Sequence, residues 1–146
     1  HAFDTDGLGL LDMTKAGGPL FRKQKRGVFV SVSSIAGRVT IPFGALYNAS
    51  KFAVEGFSEA ISYEMAQIGV RVKVIEPGMI KTNFPNAMEF SNDRSIDVYQ
   101  PLVARMWEVA GALMEVGAES EAAAEVMYEE ATDGSDRVQG WGRRVV

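Results

Sequence analysis

Tyr47 and Lys51 lie four residues apart in a segment whose apolar residues recur at helical spacing. Residues at that separation share one face of an α-helix, so the phenol hydroxyl and the ammonium group would lie side by side. An ammonium group about 4 Å from a phenol favours the phenolate by up to roughly 4 kcal/mol at an effective dielectric constant of about 20. The pair could therefore transfer a proton. A Tyr-x-x-x-Lys spacing also arises by accident in long helices, so its interpretation depends on its surroundings.

Two strands and a helix are expected to bring a third functional group, the hydroxyl of Ser34, to the same place. The β-branched runs Gly27–Ser34 and Val70–Ile75 are typical of buried strands, and Ala45–Ile68 is predicted to be one long helix. Strand, helix and strand in this order form a βαβ unit with a parallel sheet and a right-handed crossover. Open α/β sheets bind ligands at the carboxyl ends of their strands, where Ser34 and Glu76–Thr82 are expected.

Further helices are predicted around this unit. Phe3–Lys25 is expected to be helical but broken at the Gly-Gly-Pro run of residues 17–19, since each internal glycine lowers helix stability by up to about 1 kcal/mol. Downstream, Pro101–Val116 and Glu121–Ala131 also have helical periodicity. Residues 138–146 are too rich in glycine and polar residues to predict a strand, and are expected to form an irregular tail.

Composition and charge exclude several classes of function. The 146 residues carry a net charge of −4, so the basic run Arg22–Arg26 is interpreted as a solvated helix end rather than a nucleic-acid patch. There is no cysteine, and the only histidine is His1, so disulfides, histidine triads and Cys- or His-based metal sites are not expected. No apolar stretch has the length of a membrane span and no signal peptide opens the chain, so a cytoplasmic location is expected.

Two segments resemble the short-chain dehydrogenase/reductase family. They read VFVSVSSIAGRVTIPFGALYNASKFAVEGFSEAISYEM and GVRVKVIEPGMIKTNF. The spacing from Ser34 to Tyr47 and the four-residue step to Lys51 are similar to the catalytic pattern of that family. The family also has a Pro-Gly-x-Ile-x-Thr run, matched here by Pro77, Gly78, Ile80 and Thr82. The resemblance extends from about Phe3 to Arg137 and implies an α/β fold with a Rossmann-like, doubly wound parallel sheet.

The resemblance also implies an activity: interconversion of an alcohol and a carbonyl compound with NAD or NADP as cofactor. Tyr47 would be the general acid or base, and Lys51 would assist it and bind the nicotinamide ribose. Ser34 would donate a hydrogen bond to the substrate oxygen. The segment Pro77–Thr82 would face the nicotinamide, with Ile80 and Thr82 near its carboxamide.

One member of the family's active-site set differs in this chain. The segment FDTDGLGLLDMTKA resembles the family's helix that carries a catalytic asparagine, and Asp6 stands at that position. A carboxylate has no N–H group to donate, so the hydrogen bonding there must differ. If Asp6 lies near Lys51, it would hold that lysine charged and partly cancel its effect on Tyr47.

The glycine-rich turn with which the family binds pyrophosphate is not found in these residues. The chain is therefore expected to form a single, partial Rossmann-type domain over residues 1–146, the C-terminal catalytic portion of such an enzyme. An alternative is a truncated, inactive relative that acts only as an association module. The helices Phe3–Lys25 and Ala45–Ile68 resemble those through which the family dimerises, which implies a homodimer or homotetramer.

A substrate-side lid is expected over residues 83–116. Its bulky side chains would either line an apolar substrate pocket or pack only against one another. These side chains are Phe84, Met88, Phe90, Tyr99, Met106 and Trp107. The sequence does not identify the substrate.

Overall fold

The computed structural model describes residues 3–84 and 90–138, and its centre is a parallel strand pair. β1 (Gly27–Val32) pairs with β2 (Val70–Ile75) in register, Gly27 opposite Val70 and Val32 opposite Ile75. Between the two strands runs helix α2 (Ala45–Ala66). The predicted βαβ unit and the α/β class are thus confirmed.

Helices pack on both faces of the strand pair. Side chains alternate between the two faces along each strand. On one face, Ser31 of β1 contacts Ser58 of α2, with the two hydroxyl oxygens 3.2 Å apart. These small side chains allow the helix to approach the sheet closely. On the other face, Lys73 of β2 contacts Glu130 of the last described helix, at 3.6 Å. The valines of β2 are almost completely buried and form the centre of the core.

The helix before β1 differs from its prediction. A π-helical segment (Phe3–Gly9) leads into helix α1 (Leu10–Gln24), and α1 continues through Gly-Gly-Pro at 17–19 without the expected break. The reason is a tertiary contact: a Cβ on Gly17 would lie 3.0 Å from the Phe29 ring, so glycine lets α1 approach β1 closely. The rings of Phe21 and Phe29 then pack edge to face, with centroids 4.9 Å apart.

Element ends also shift relative to the predictions. β1 ends at Val32 rather than Ser34, because Ser34 instead opens a 3₁₀ turn (Ile35–Gly37). α2 ends at Ala66 rather than Ile68, and Gly69, at φ +73°, provides the left-handed conformation that leads into β2.

Two helices and a second strand pair complete the described structure. Helix α3 (Gln100–Glu115) and helix α4 (Ser120–Thr132) lie within one residue of their predicted bounds at both ends. Strand β3 (Ile80–Lys81) pairs in parallel with strand β4 (Ala118–Glu119), a contact that the sequence did not predict.

Parts of two predictions lie outside the described residues. They are the lid residues 85–89, Met88 among them, and all of the irregular tail except Val138. The carbonyl of Val138 accepts a hydrogen bond of 2.7 Å from the amide of Val74 in β2. None of the described helices combines the length and the apolar content needed to cross a bilayer.

β1 has no second strand partner within residues 3–84 and 90–138. Residues of β1, the π-helical segment and α1 line a groove of about 780 Å³. Apolar side chains such as Met13, Phe29 and Val30 line much of the groove, and Asp6 lies in its wall. The groove therefore reaches the part of the molecule where the candidate catalytic side chains lie.

Candidate active site

The loops that follow β1 and β2 meet at the carboxyl edge of the strand pair. The amide of Ser33 donates to the carbonyl of Ile75 at 2.8 Å, and the amide of Ile35 donates to the carbonyl of Pro77 at 3.0 Å. These two bonds extend the backbone contact beyond the strands. As expected for a parallel pair, the segments that carry Ser34 and Pro77 therefore lie together.

Ser34 is held by the turn that it opens. Its backbone is extended, at φ −166° and ψ 161°, and its Oγ accepts a hydrogen bond of 3.1 Å from the amide of Ala36. A serine at this position satisfies a backbone N–H at the start of the 3₁₀ turn. The hydroxyl uses only its acceptor capacity in this bond, so its proton can be donated to another acceptor.

Tyr47 and Lys51 lie on one face of the first turns of α2. The Nζ atom of Lys51 is 5.8 Å from the centroid of the Tyr47 ring. The tyrosine is half-buried, and its ring packs against that of Phe84 with centroids 5.8 Å apart. Lys51 is buried, and its Nζ donates to the carbonyl of Val32, the last residue of β1, at 3.3 Å.

Asp6 lies directly beside Lys51. Its Oδ1 is 3.1 Å from Lys51 Nζ, so the aspartate in the π-helical segment forms an ion pair with the lysine of α2. The other carboxylate oxygen lies 2.9 Å from Ser50 Oγ, and that hydroxyl is equally close to the carbonyl of Tyr47. The condition set out from the sequence, that Asp6 lies near Lys51, is therefore met.

Ser50 is a site residue that sequence reasoning missed. It is completely buried and links Asp6 to the backbone of Tyr47. The only sequence signal for Ser50 was its position next to Lys51, and adjacent residues point to different sides of a helix. Its contact with Asp6 depends on how the π-helical segment packs against α2.

The Pro-Gly-x-Ile-x-Thr run forms the opposite side of the edge. Pro77, Gly78 and Ile80 are half-buried, whereas Thr82 is exposed and its Oγ1 accepts a hydrogen bond of 3.2 Å from the amide of Phe84. Pairing of β3 with β4 fixes the far end of this run.

A charged cluster beneath the site consists of Arg38, Glu55 and Glu76 and is called the Arg38 cluster below. The sequence analysis did not identify it. Arg38 donates to Glu76 Oε1 through Nε at 3.0 Å and through Nη2 at 2.8 Å, and Nη2 is also 3.0 Å from Glu55 Oε2. Burial raises the pKa of the Glu55 carboxyl, and the contact with Ser33 and the charge of Arg38 offset only part of this effect.

Four aromatic rings form a cluster that joins the loop before α2 to residues 90–107. Phe43 packs edge to face against Phe90 and Tyr99, at centroid distances of 6.2 and 6.4 Å, and Phe90 packs in the same way against Trp107 at 5.2 Å. Phe43, Tyr99 and Trp107 each expose more than two fifths of their surface.

Comparison with known proteins identifies relatives for most of the chain. Two uncharacterized oxidoreductases of Schizosaccharomyces pombe are each 39% identical to it over 139 residues, which make up 95% of this chain and 58% of each relative. A 3-ketodihydrosphingosine reductase of Bacteroides thetaiotaomicron is 40% identical over 88 residues, 60% of this chain and 33% of that protein. The chain thus spans little more than half the length of the two Schizosaccharomyces pombe relatives and a third of the length of the reductase.

Solved structures show the same fold. A short-chain dehydrogenase from Streptomyces avermitilis is 25% identical and superimposes with a TM-score of 0.77 over 94% of this chain and 49% of its own. The protein ElxO, solved with NADP bound, is 26% identical, with a TM-score of 0.66 over 92% of this chain and 51% of its own. The family model described as short chain dehydrogenase matches residues 1–92. The chain therefore belongs to the short-chain dehydrogenase family.

Proposed function

We propose that the protein carrying these 146 residues is an NAD(P)-dependent oxidoreductase that interconverts an alcohol and a ketone or aldehyde. The observation that carries the proposal is the arrangement at the carboxyl edge of the strand pair. Tyr47 and Lys51 share a face of α2, and the loop of Ser34 is hydrogen-bonded to the loop of Pro77. Membership of the short-chain dehydrogenase family supports the same reaction class.

The proton-transfer step is assigned to Tyr47. In the oxidation direction its phenolate would accept the hydroxyl proton of the alcohol, and in the reduction direction the phenol would return a proton to the carbonyl oxygen. Lys51 would favour the phenolate through its positive charge. Ser34 would donate its proton in a hydrogen bond to the same substrate oxygen and hold it as charge develops.

The donor set at the edge suits the nicotinamide riboside part of the cofactor. Lys51 supplies a cationic donor for a ribose hydroxyl, and the half-buried backbone of Pro77, Gly78 and Ile80 with the Thr82 hydroxyl suits a carboxamide. The hydride itself is supplied or accepted by the nicotinamide when bound. ElxO, with a similar fold, is known with NADP and with NADPH bound, which supports NADP or NAD as the cofactor here.

We assign residues 83–116 to a lid on the substrate side. If the bulky side chains of this segment only packed against one another, their rings would be buried. The rings of Phe43, Tyr99 and Trp107 are instead partly exposed, which favours a pocket for an apolar substrate.

A second candidate, an inactive association module, has its own support. α1 and α2 expose several large apolar side chains, as expected of helices that pack against another copy in a homodimer or homotetramer. They are Met13, Leu20, Leu46, Phe52 and Tyr63. The two candidates differ in one measurable property, which is turnover with a nicotinamide cofactor.

The Tyr47→Phe variant tests the enzyme. Loss of the hydroxyl should lower kcat by about 10²- to 10⁴-fold, since general acid–base catalysis contributes that much. The Kd for NADPH, followed by nicotinamide fluorescence, should stay near the wild-type value because the aromatic ring is retained. Tyr63→Phe is the matched control, since Tyr63 lies on the same helix but is 69% exposed. Unchanged turnover in Tyr47→Phe would remove Tyr47 from the mechanism, and an inactive wild-type protein would favour the association module.

A further inference from the structure

The Arg38 cluster joins three separate parts of the chain by ion pairs that are largely shielded from water. The side chains of Arg38, Glu76 and Glu55 are 30%, 16% and 6% exposed. Arg38 makes two hydrogen bonds to a single oxygen of Glu76 and an ion pair of 3.0 Å to Glu55. Such a partly buried arrangement depends on the planar fork of a guanidinium group, which the single ammonium group of a lysine cannot reproduce.

Each member of the cluster lies beside one part of the candidate site. Arg38 directly follows the 3₁₀ turn that Ser34 opens. On α2, Glu55 lies one helical turn after Lys51 and on the same face. In the loop after β2, Glu76 comes directly before the Pro-Gly pair.

The turn before Arg38 has no room to shift against α2. A Cβ on Gly37 would lie 2.6 Å from Ser33 Oγ, 3.0 Å from the carbonyl oxygen of Lys51 and 3.1 Å from Cγ of Glu55. The hydroxyl of Ser33 also lies 3.4 Å from the same Lys51 carbonyl. The turn therefore rests directly on the part of α2 that carries the lysine, and any movement of Arg38 would be transmitted to it.

Resting on the proposed function, we propose that Arg38 is a positioning residue for the reaction. Through Glu55 and Glu76, its guanidinium fixes the loop of Ser34 and the loop of Pro77 relative to α2. Arg38 touches neither substrate nor cofactor in this role. It sets the distance between the hydroxyl that binds the substrate oxygen and the wall against which the nicotinamide rests.

The test compares Arg38→Lys with Arg105→Lys in the protein that carries these residues. Arg105 also forms an ion pair, 2.7 Å from Glu108, but both side chains are about two thirds exposed on α3. We expect Arg38→Lys to lower kcat by about 10²-fold, because a displacement of about 1 Å at an active site has that effect. The Kd for NADPH should stay near the wild-type value in both variants, and kcat should be unchanged in Arg105→Lys.

A second readout does not depend on activity. Hydrogen exchange at the Ile35 amide reports the bond between the two loops, because this amide donates to the Pro77 carbonyl. It should exchange faster in Arg38→Lys than in wild type or Arg105→Lys, while circular dichroism shows that each variant is folded.

The outcomes separate this inference from the proposed function. Wild-type turnover with an unchanged kcat per folded molecule in Arg38→Lys would overturn the positioning role and leave the enzyme assignment intact. Unchanged exchange at Ile35 would overturn it as well, even in a preparation without activity. Absence of wild-type turnover with any alcohol or ketone would instead count against the proposed function.

Discussion

Lys51 lies close to two side chains of different kinds, a carboxylate and a phenol ring. Its Nζ is 3.1 Å from the Asp6 carboxylate and 5.8 Å from the centroid of the Tyr47 ring. A carboxylate this close to an ammonium group opposes the attraction of that group for other anions. Ser50 lies 2.9 Å from Asp6 Oδ2 and helps to keep the carboxylate in this position. Lys51 is thus held by an ion pair to the π-helical segment while its Nζ also lies over the ring of Tyr47.

Removal of Asp6 should measure how much the ion pair stabilises the fold. The Lys51 and Asp6 side chains are only 11% and 19% exposed, so Asp6→Ala would leave a nearly buried ammonium group without its partner. We expect the free energy of unfolding to fall by about 2 kcal/mol, less than for a fully buried pair. Urea unfolding monitored by circular dichroism measures the change.

Asp12→Ala is the control for Asp6→Ala. Asp12 is exposed in the first turn of α1, where an acidic residue stabilises the helix by at most about 1 kcal/mol. Equal losses in the two variants would show that the pair between Asp6 and Lys51 adds nothing beyond the effect of an acidic residue near a helix start.

For single residues, the sequence predicted the relations that depend on helical periodicity. Tyr47 and Lys51 share a helix face because this relation depends on local geometry alone. Ser34, predicted to end the strand, lies just beyond β1 and opens a 3₁₀ turn instead. The contact between Ser50 and Asp6 and the Arg38 cluster could not be predicted in this way. Their partners are 44 and 38 positions apart in sequence, and only tertiary packing brings them together.

Among the elements, the 3₁₀ turn and α2 contact each other with little free space between them. A Cβ added at Gly37 would meet the Lys51 carbonyl, which belongs to the helix backbone and cannot move independently. We therefore expect Gly37→Ala to lower the free energy of unfolding by about 1 to 3 kcal/mol, as overpacking does. Chemical denaturation of the purified variant checks this.

Gly56→Ala is the matched control on α2. Nothing lies within 4 Å of a Cβ at Gly56, so alanine should raise stability by up to about 1 kcal/mol through its higher helix propensity. If Gly37→Ala were equally stabilising, the turn would not pack against α2 as described.

The same scale shows where propensity misleads. Gly-Gly-Pro at 17–19 predicts a helix break, yet α1 continues because the missing Cβ of Gly17 lets the helix pack on Phe29. Strand β3 was missed because two residues carry no periodic pattern, and its pairing with β4 depends on a partner 38 positions away. The βαβ unit was predictable because its strands are short runs rich in β-branched residues and its helix is long.

For the whole molecule, two carboxyls make stability depend on pH in opposite ways. Burial raises the pKa of Glu55 above its ordinary value of 4.5. Hydrogen bonds from Ser135 lower the pKa of Asp133 below its ordinary value of 3.8. Asp133 therefore stabilises the fold above pH 3.8, and this stabilisation is lost as the pH falls through the pKa of Asp133 in the folded state. Glu55 stabilises the fold below pH 4.5, where its carboxyl is protonated, and this stabilisation is lost as the pH rises through the pKa of Glu55 in the folded state.

Glu55→Gln should therefore change the pH dependence of unfolding on one side only. With the titrating group removed, the decline in stability as pH rises above 4.5 should become shallower, while the decline below 3.8 should remain. Urea unfolding at a series of pH values measures both limbs. An unchanged slope above pH 4.5 would mean that the Glu55 carboxyl has the same pKa in the folded and unfolded states.

The register of β1 and β2 determines which part of the candidate site would be affected first by local unfolding. The pair ends at Val32 opposite Ile75, next to the two bonds that join the loops of Ser34 and Pro77. Fraying of the sheet from this end would separate these loops first. Lys51 would lose its hydrogen bond to the Val32 carbonyl but keep its ion pair with Asp6, because that pair joins α2 to the π-helical segment. In the proposed enzyme, the loop of Ser34 would thus separate from the loop of Pro77 while Tyr47 and Lys51 still share their face of α2.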